Sequence, residues 1–229
     1  TGMRISQVEW LTSPQLAAAV RTGFAPGDRA GIVEALAARD TDPGVNADVP
    51  WMQAGPSGAE LSSRHYTHDA WHSIAATLRL PAKGAVLGAL APVLVPTEPG
   101  ERRSMVVVFP ILPATTADRQ THTAETAADM GEALRTHAGV KTRAKDRTNL
   151  ARTRGLDAKL ASGNALIRPY AVACTTVPAT MRIAEFGRRL DASIRRAGFA
   201  PLRLDLAQDA GFAAATIPLG IGLDRKADQ

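Results

Sequence analysis

The sequence has a single cysteine, Cys174, so no internal disulfide can staple it and packing must supply its stability. Aromatic residues are nearly as scarce: three Trp, two Tyr and five Phe make up 4% of 229 residues. A core has to be assembled from Ala, Val, Leu and Ile. No stretch approaches the roughly 18 uninterrupted apolar residues of a membrane-crossing helix; the nearest, residues 85–95, is short and holds Pro92. A phosphate-binding loop is also missing. Gly139-Val140-Lys141-Thr142 has the ending of one, but Val140 separates glycine from lysine and no strand signal precedes it, so the backbone N–H cradle is not specified. There is no Gly-x-Ser-x-Gly elbow. Cys174 lies in an apolar run without a nearby base, which reads as a buried structural thiol rather than a nucleophile.

What is present is enough for a packed core: 45% hydrophobic and 21% charged residues. The length fits one large domain or two small ones. A net charge of +5 with a pI near 9.9 permits contact with nucleic acid or an anionic membrane without demanding it. The positive charge concentrates in Lys141, Arg143, Lys145, Arg147, Arg152 and Arg154, with Asp146 as the acidic residue among them. These six residues are the expected interaction surface, for an acidic protein partner or for weak contact with DNA or anionic lipid; an ordinary solvated face is the competing reading. The run has no aromatic side chain for stacking on bases, which weakens the nucleic-acid version.

In chain order, Ser13-Pro14 opens a helix with Leu16, Val20 and Phe24 on one face, and Asp28 caps a second with Ile32, Val33, Leu36 and Ala37. Residues 40–58 hold three Pro, three Gly and three Asp, a linker composition, with Trp51 and Met52 expected to dock on the body. Residues 1–58 therefore read as a small helical segment and linker, and residues 59–229 as the main domain. Strands are expected at 64–80, 103–112, 165–177 and 200–204, and helices at 85–91, 179–197 and 206–215. The apolar run from Met105 to Phe109 suits a strand covered on both faces. Residues 115–162 show no strand signal and read as two helices broken at Gly139, a projecting hairpin. The order predicts the α+β class: a ferredoxin-like βαβ-βαβ sheet with its helices on one face and the hairpin, 115–162, inserted between the two units.

His65, His68 and His72, with Asp69, are the sharpest cluster of metal-ligating residues. On a helix all three would line one face; on a strand His68 and His72 share a face and His65 lies opposite. No second cluster supplies a further ligand. Ordinary histidines are the reading, with no catalytic residue, metal or cofactor assigned; a metal-dependent enzyme using the three is the least favoured alternative.

Four stretches carry a family resemblance: His65-Tyr66-Thr67-His68-Asp69-Ala70, Gly84-Ala85-Val86-Leu87, the strand from Arg102 to Pro110, and Phe212-Ala213-Ala214-Ala215-Thr216-Ile217-Pro218-Leu219-Gly220. In their order and spacing, from about Leu11 to Leu223, the chain resembles the soluble part of an actinobacterial conjugation protein family of integrative conjugative elements. That family in turn resembles the amino-terminal, non-motor half of TraC/TrbE/CagE-type ATPases of type IV secretion. The chain departs from those ATPases in having no phosphate loop and no acidic metal-binding strand end. The resemblance implies a non-catalytic scaffold at the cytoplasmic face of the inner membrane, with a type IV secretion-like ATPase and membrane channel proteins as partners. A DNA-binding adaptor in conjugative transfer is the alternative. The opening Thr1-Gly2-Met3 reads as a cut edge, so a piece of a longer protein is expected; the resemblance implies that this parent is membrane-anchored.

Overall fold

The run Tyr-Ala-Val-Ala-Cys-Thr-Thr-Val-Pro, at Tyr170–Pro178, has small or β-branched side chains at nearly every position. Such a run suits a strand pressed from both faces. In the computed structural model it is strand β5, buried from Ala171 to Val177. The structure describes residues 10–79, 88–113, 115, 116, 119 and 159–223. β5 pairs antiparallel with β3 (Trp71–Arg79) on one side and with β4 (Arg102–Val108) on the other. β1 (Ala59–Leu61) and β2 (Tyr66–His68) form a meander onto β3, and β6 (Ala200–Arg203) also pairs with β3. The result is a six-stranded antiparallel sheet ordered β1-β2-β3-β5-β4, with β6 beside β3.

β2 and β6 share one edge of β3: β2 lies opposite Trp71 to Ser73, β6 opposite Ala76 to Arg79. Ala75 falls in the gap between them. Its N–H donates to Gln208 Oε1 at 2.7 Å, and its carbonyl accepts from Leu204 N–H at 3.2 Å and Gln208 Nε2 at 3.4 Å. Buried backbone groups must find partners, and the fully buried Gln208 amide stands in for the missing strand.

Alternation along the strands divides the core in two. On one face Ala75, Val172 and Cys174 meet Phe212 and Ala215 of α6 (Gln208–Thr216) and Ala17 and Val20 of α1 (Ser13–Phe24). On the other Ala76, Leu78, Ala171 and Ala173 meet Leu190 and Ile194 of α5 (Ile183–Arg196), and Val93 of α4 (Ala91–Leu94). Alanines on the strands leave room for large side chains on the helices; each buried Leu or Phe contributes about 1.5–3 kcal/mol. At Gly211 a Cβ would lie 2.6 Å from the Ala75 Cβ, so α6 needs glycine to approach the sheet this closely. Thr12 caps α1 through a capping box with Gln15.

Helices thus cover both faces, against the expectation of one. The reason is that α6 and the amino-terminal α1 are both core elements, and Ala17 and Ala54 pack in the same cluster as β5. Accordingly the chain does not divide at residue 58. One compact unit comprises Thr1–Val108 with Tyr170–Gln229, and a second comprises Phe109–Pro169. The second unit contains an Ile111–Ile167 bridge, with Leu112 N–H donating to Leu166 O at 2.8 Å. The predicted hairpin, residues 115–162, lies almost wholly outside the described residues.

Other boundaries moved for identifiable reasons. The expected strand at 64–80 is broken by a turn at Asp69, whose φ is 49°. Pro92 opens α4 rather than ending a helix, in keeping with its preset φ and missing N–H; residues 85–87 of the expected helix lie outside the described residues. β4 ends the strand order, yet its apolar run is used on both faces, Met105 against one cluster and Val106 against the other. α2 (Arg29–Thr41) fully buries no residue. In α3 (Trp51–Ala54), Met52 is 91% exposed and does not dock, whereas Trp51 donates from Nε1 to Ser13 Oγ at 2.7 Å.

Candidate functional site

The turn that breaks the expected strand decides where the histidines go. The Asp69 carboxylate accepts from Ser57 N–H at 2.7 Å and from Arg21 Nη1 at 3.1 Å, which holds the left-handed backbone in place. The turn makes Thr67 the cross-strand partner of His72. His72 Nδ1 lies 3.0 Å from Thr67 Oγ1, and the His65 and His72 rings meet edge-on at 5.1 Å. His68 is on the opposite face, alone. The expected strand pairing of His68 with His72 is therefore reversed, because a hairpin turn between them resets the alternation. Among the described residues no group of three His, Cys, Asp or Glu side chains is placed to hold a metal ion.

His68 is fully buried, ringed by Phe24, Tyr66 and Phe212 at centroid distances of 5.9, 5.2 and 4.4 Å. Its Nδ1 faces the Phe24 carbonyl at 2.6 Å, so that nitrogen carries the proton. Nε2 then accepts from the Ser73 hydroxyl at 2.8 Å, and Ser73 Oγ accepts from Thr176 at 2.7 Å. Burial pushes the His68 pKa down to about 4, outweighing the carbonyl contact and nearby Asp69. The chain of donors has the contact of a serine–histidine couple, but a backbone carbonyl occupies the orienting position that a carboxylate takes in a triad. Both residues are sealed at 0% exposure, so no substrate reaches Ser73. Cys174, in the same layer, is also fully buried, and burial pushes its thiol up to about 11, so it stays protonated.

The other face holds a charged cluster that the sequence reading did not single out. Arg103 Nε donates to Glu101 Oε1 at 2.7 Å, and Arg103 Nη1 donates to Ser193 Oγ at 3.0 Å. Glu101 also accepts from the Thr175 hydroxyl at 2.8 Å, the Thr97 hydroxyl at 2.7 Å and the Thr97 N–H. Burial alone would raise the Glu101 carboxyl; the bonds from Thr97, Arg103 and Thr175 together hold it below the usual carboxylate range. Both side chains are completely buried. Their signal was the Glu101-x-Arg103 spacing, which puts two opposite charges on one side of the chain at the start of β4.

One accessible concavity adjoins this core. The end of α1, the 3-10 turn Pro26–Asp28, α2 and the loop through residues 49–57 surround an open cleft of about 640 Å³. Arg21 ties its walls: Nε donates to Asp28 at 2.7 Å, and Nη1 donates to the Gly55 carbonyl at 3.0 Å and to Asp69. Ile32, Val49 and Met52 give the lining its apolar part, and Gly27, Gly31 and Gly55 leave backbone bare. No property of residues 1–58 in the sequence marked this cleft; Trp51 and Met52 were expected to dock on the body instead. The predicted interaction residues Lys141, Arg143, Lys145, Arg147, Arg152 and Arg154 lie outside the described residues.

The described residues define an α+β protein whose antiparallel sheet carries helices on both faces, with an open cleft beside it. No protein-family model matches the chain, and no curated protein matches it. Among the described residues no helix is long and apolar enough to cross a membrane.

Proposed function

We propose that the chain is a non-catalytic assembly module of a conjugative, type IV secretion-like system, docking a separate motor ATPase to the membrane channel. The observation that carries this reading is the exposure of large apolar side chains on the amino-terminal helices: Met52, which lines the cleft, is 91% exposed, Val33 50% and Trp51 48%. Large apolar side chains exposed to water are candidates for surfaces that partners cover. The imidazole, hydroxyl and thiol best suited to chemistry, on His68, Ser73 and Cys174, are meanwhile enclosed in the core. A ferredoxin-like reading of the sheet belongs to the same proposal. Its support is the order β6-β3-β5-β4, antiparallel throughout, which two interleaved βαβ units produce.

The test is co-elution of the purified chain with a phosphate-loop ATPase of a type IV secretion-like system, together with an assay for ATP turnover by the chain alone. A complex without turnover supports the module. Turnover by the chain alone, or no complex, overturns it. The net charge of +5 and the basic run at 141–154 keep a DNA-binding adaptor as the second reading. That reading requires DNA affinity to fall steeply between about 50 and 200 mM salt, and to vanish on charge reversal at Arg143, Arg147 and Arg154.

A further inference from the structure

α5 and its N-cap carry Arg182, Arg188, Arg189, Arg195 and Arg196 against two carboxylates, Glu185 and Asp191. Both carboxylates are taken. Glu185 lies 4.0 Å from Arg182. Asp191 is gripped from β6: Arg203 Nε donates to its Oδ1 at 2.9 Å and Arg203 Nη2 to its Oδ2 at 2.9 Å. Such a two-pronged contact is the strongest form of this ion pair. Asp191 stands three positions after Arg188 and four before Arg195, so it is the carboxylate those two would otherwise meet along the helix. The grip is built into the backbone. A Cβ at Gly187 would lie 2.6 Å from Arg203 Nη1, so α5 has glycine where the guanidinium crosses it.

Arg188, Arg195 and Arg196 are left exposed and make no ion pair among the described residues. Arg189 is spent on Glu98, at 2.5 Å. Arg188 and Arg195 stand two turns apart on one line, about 10 Å along the axis. The other exposed residues of α5 are Ala184 and Ala192. Basic residues in a last turn complement the helix dipole, but Arg188 lies mid-helix, where that benefit is lost.

Unpaired guanidinium groups call for an anionic partner, and the rest of the face says which kind. Protein interfaces are centred on buried apolar or aromatic anchors. Helices that lie in a membrane surface insert Trp, Phe or Leu. This face offers only two alanines. It has no aromatic side chain for stacking on the bases of a single strand. A phosphate backbone needs none of these, because its affinity comes from counterions released by each neutralised phosphate.

We infer that the outer face of α5 binds the phosphate backbone of a nucleic-acid duplex through Arg188, Arg195 and Arg196, without reading sequence. Arg203 is a positioning residue that keeps Asp191 away from the other two. The inference goes beyond both readings above: it uses neither the amino-terminal helices nor the basic run at 141–154.

The probe is a fluorescent 24-base-pair DNA duplex, titrated with the full chain by anisotropy at several salt concentrations. Three phosphate contacts give a slope of log affinity on log salt of about −2.7, and a loss of about fortyfold between 50 and 200 mM salt. Arg188→Gln with Arg195→Gln should reduce the slope by about 1.8 and weaken binding at 50 mM at least about tenfold. Arg29→Gln with Arg64→Gln removes the same net charge from exposed arginines elsewhere and should leave the slope unchanged. The difference between the two variants isolates α5 from any contribution of the basic run. Unchanged urea midpoints establish that both variants are folded. Scrambling the duplex sequence should change nothing. The inference is overturned if the wild type does not bind at 50 mM salt, or if the two double variants behave alike. It is overturned too if poly-glutamate of equal charge displaces the duplex as well as unlabelled duplex does, since an acidic protein is then the occupant. Binding to phosphatidylglycerol vesicles that depends on Arg188 and Arg195, with duplex binding that does not, would assign the face to a bilayer instead. Co-elution with the motor ATPase is read separately, so the assembly reading stands or falls on its own.

Discussion

The two faces of the central sheet bury polar groups in different ways. Under α6 and α1 the buried chain is neutral: Thr176 to Ser73 to His68 to the Phe24 carbonyl, each donor matched to one acceptor. Under α5 and α4 it is ionic: Glu101 and Arg103, fully enclosed and braced by Thr97, Thr175 and Ser193. The neutral chain works by directing protons; the ionic cluster works by supplying each charge with several partners. The neutral chain satisfies its buried polar groups, whereas on the ionic face Arg103 Nη2 is buried without a hydrogen-bond partner among the described residues, and the two fail differently. Loss of one member orphans a charge on the ionic face, whereas on the neutral face the weak point is protonation of a single ring.

The largest effect should come from splitting the ionic pair. Arg103→Met leaves Glu101 buried without its main counter-charge and should cost about 3–5 kcal/mol in urea unfolding. Replacing both partners, Glu101→Leu with Arg103→Met, should recover most of that loss; if the double variant is as unstable as the single, the pair is not an isolated buried couple.

Acid should separate the faces next. His68 has a folded pKa of about 4 against an ordinary value of 6.5, so the unfolded chain binds the proton more readily between these limits. Its stabilising share is complete above pH 6.5 and is lost progressively as pH falls toward 4, a total of about 3 kcal/mol. Glu101 has its pKa lowered by folding, so its share is present above its ordinary value of 4.5 and is lost only as pH falls below it. Thermal melts from pH 7.5 to 4.5 should therefore slope downward in the wild type and flatten in His68→Phe. An equal slope in both would show that the neutral chain is not what titrates.

Packing on the neutral face offers a third check. Gly211→Ala puts a methyl 2.6 Å from the Ala75 Cβ and should cost about 1–3 kcal/mol as α6 lifts from the sheet. The smallest effect, away from both faces, has the opposite sign: Gly31→Ala should stabilise α2 by about 0.5–1 kcal/mol, measured by the same urea titration.

Several elements were legible before any coordinates. α5 and its Gly198 cap follow from the spacing of Phe186, Leu190 and Ile194, and β5 follows from its unbroken run of small and branched residues. Those signals are local, carried by the period of one element. The histidine geometry was not legible. His68 and His72 are four residues apart, and whether they share a face depends on a turn at Asp69 that is held by Ser57 and Arg21, residues 12 and 48 positions away. The place of residues 40–58 was hidden for a related reason. The composition of residues 40–58 is that of a linker, but Ala54 within it packs in the core.

By itself the sequence determined which segments are apolar enough to be strands or core helices, the absence of disulfide support, and the lack of a phosphate loop. These depend on residue types and short spacings. The tertiary structure alone decided that α1 closes one face of the sheet, that Gln208 completes the edge of β3, and that His68, Ser73 and Thr176 form one buried chain. Each of these joins residues tens to more than a hundred positions apart, and no local period encodes a contact whose partner is chosen by the packing of the whole sheet.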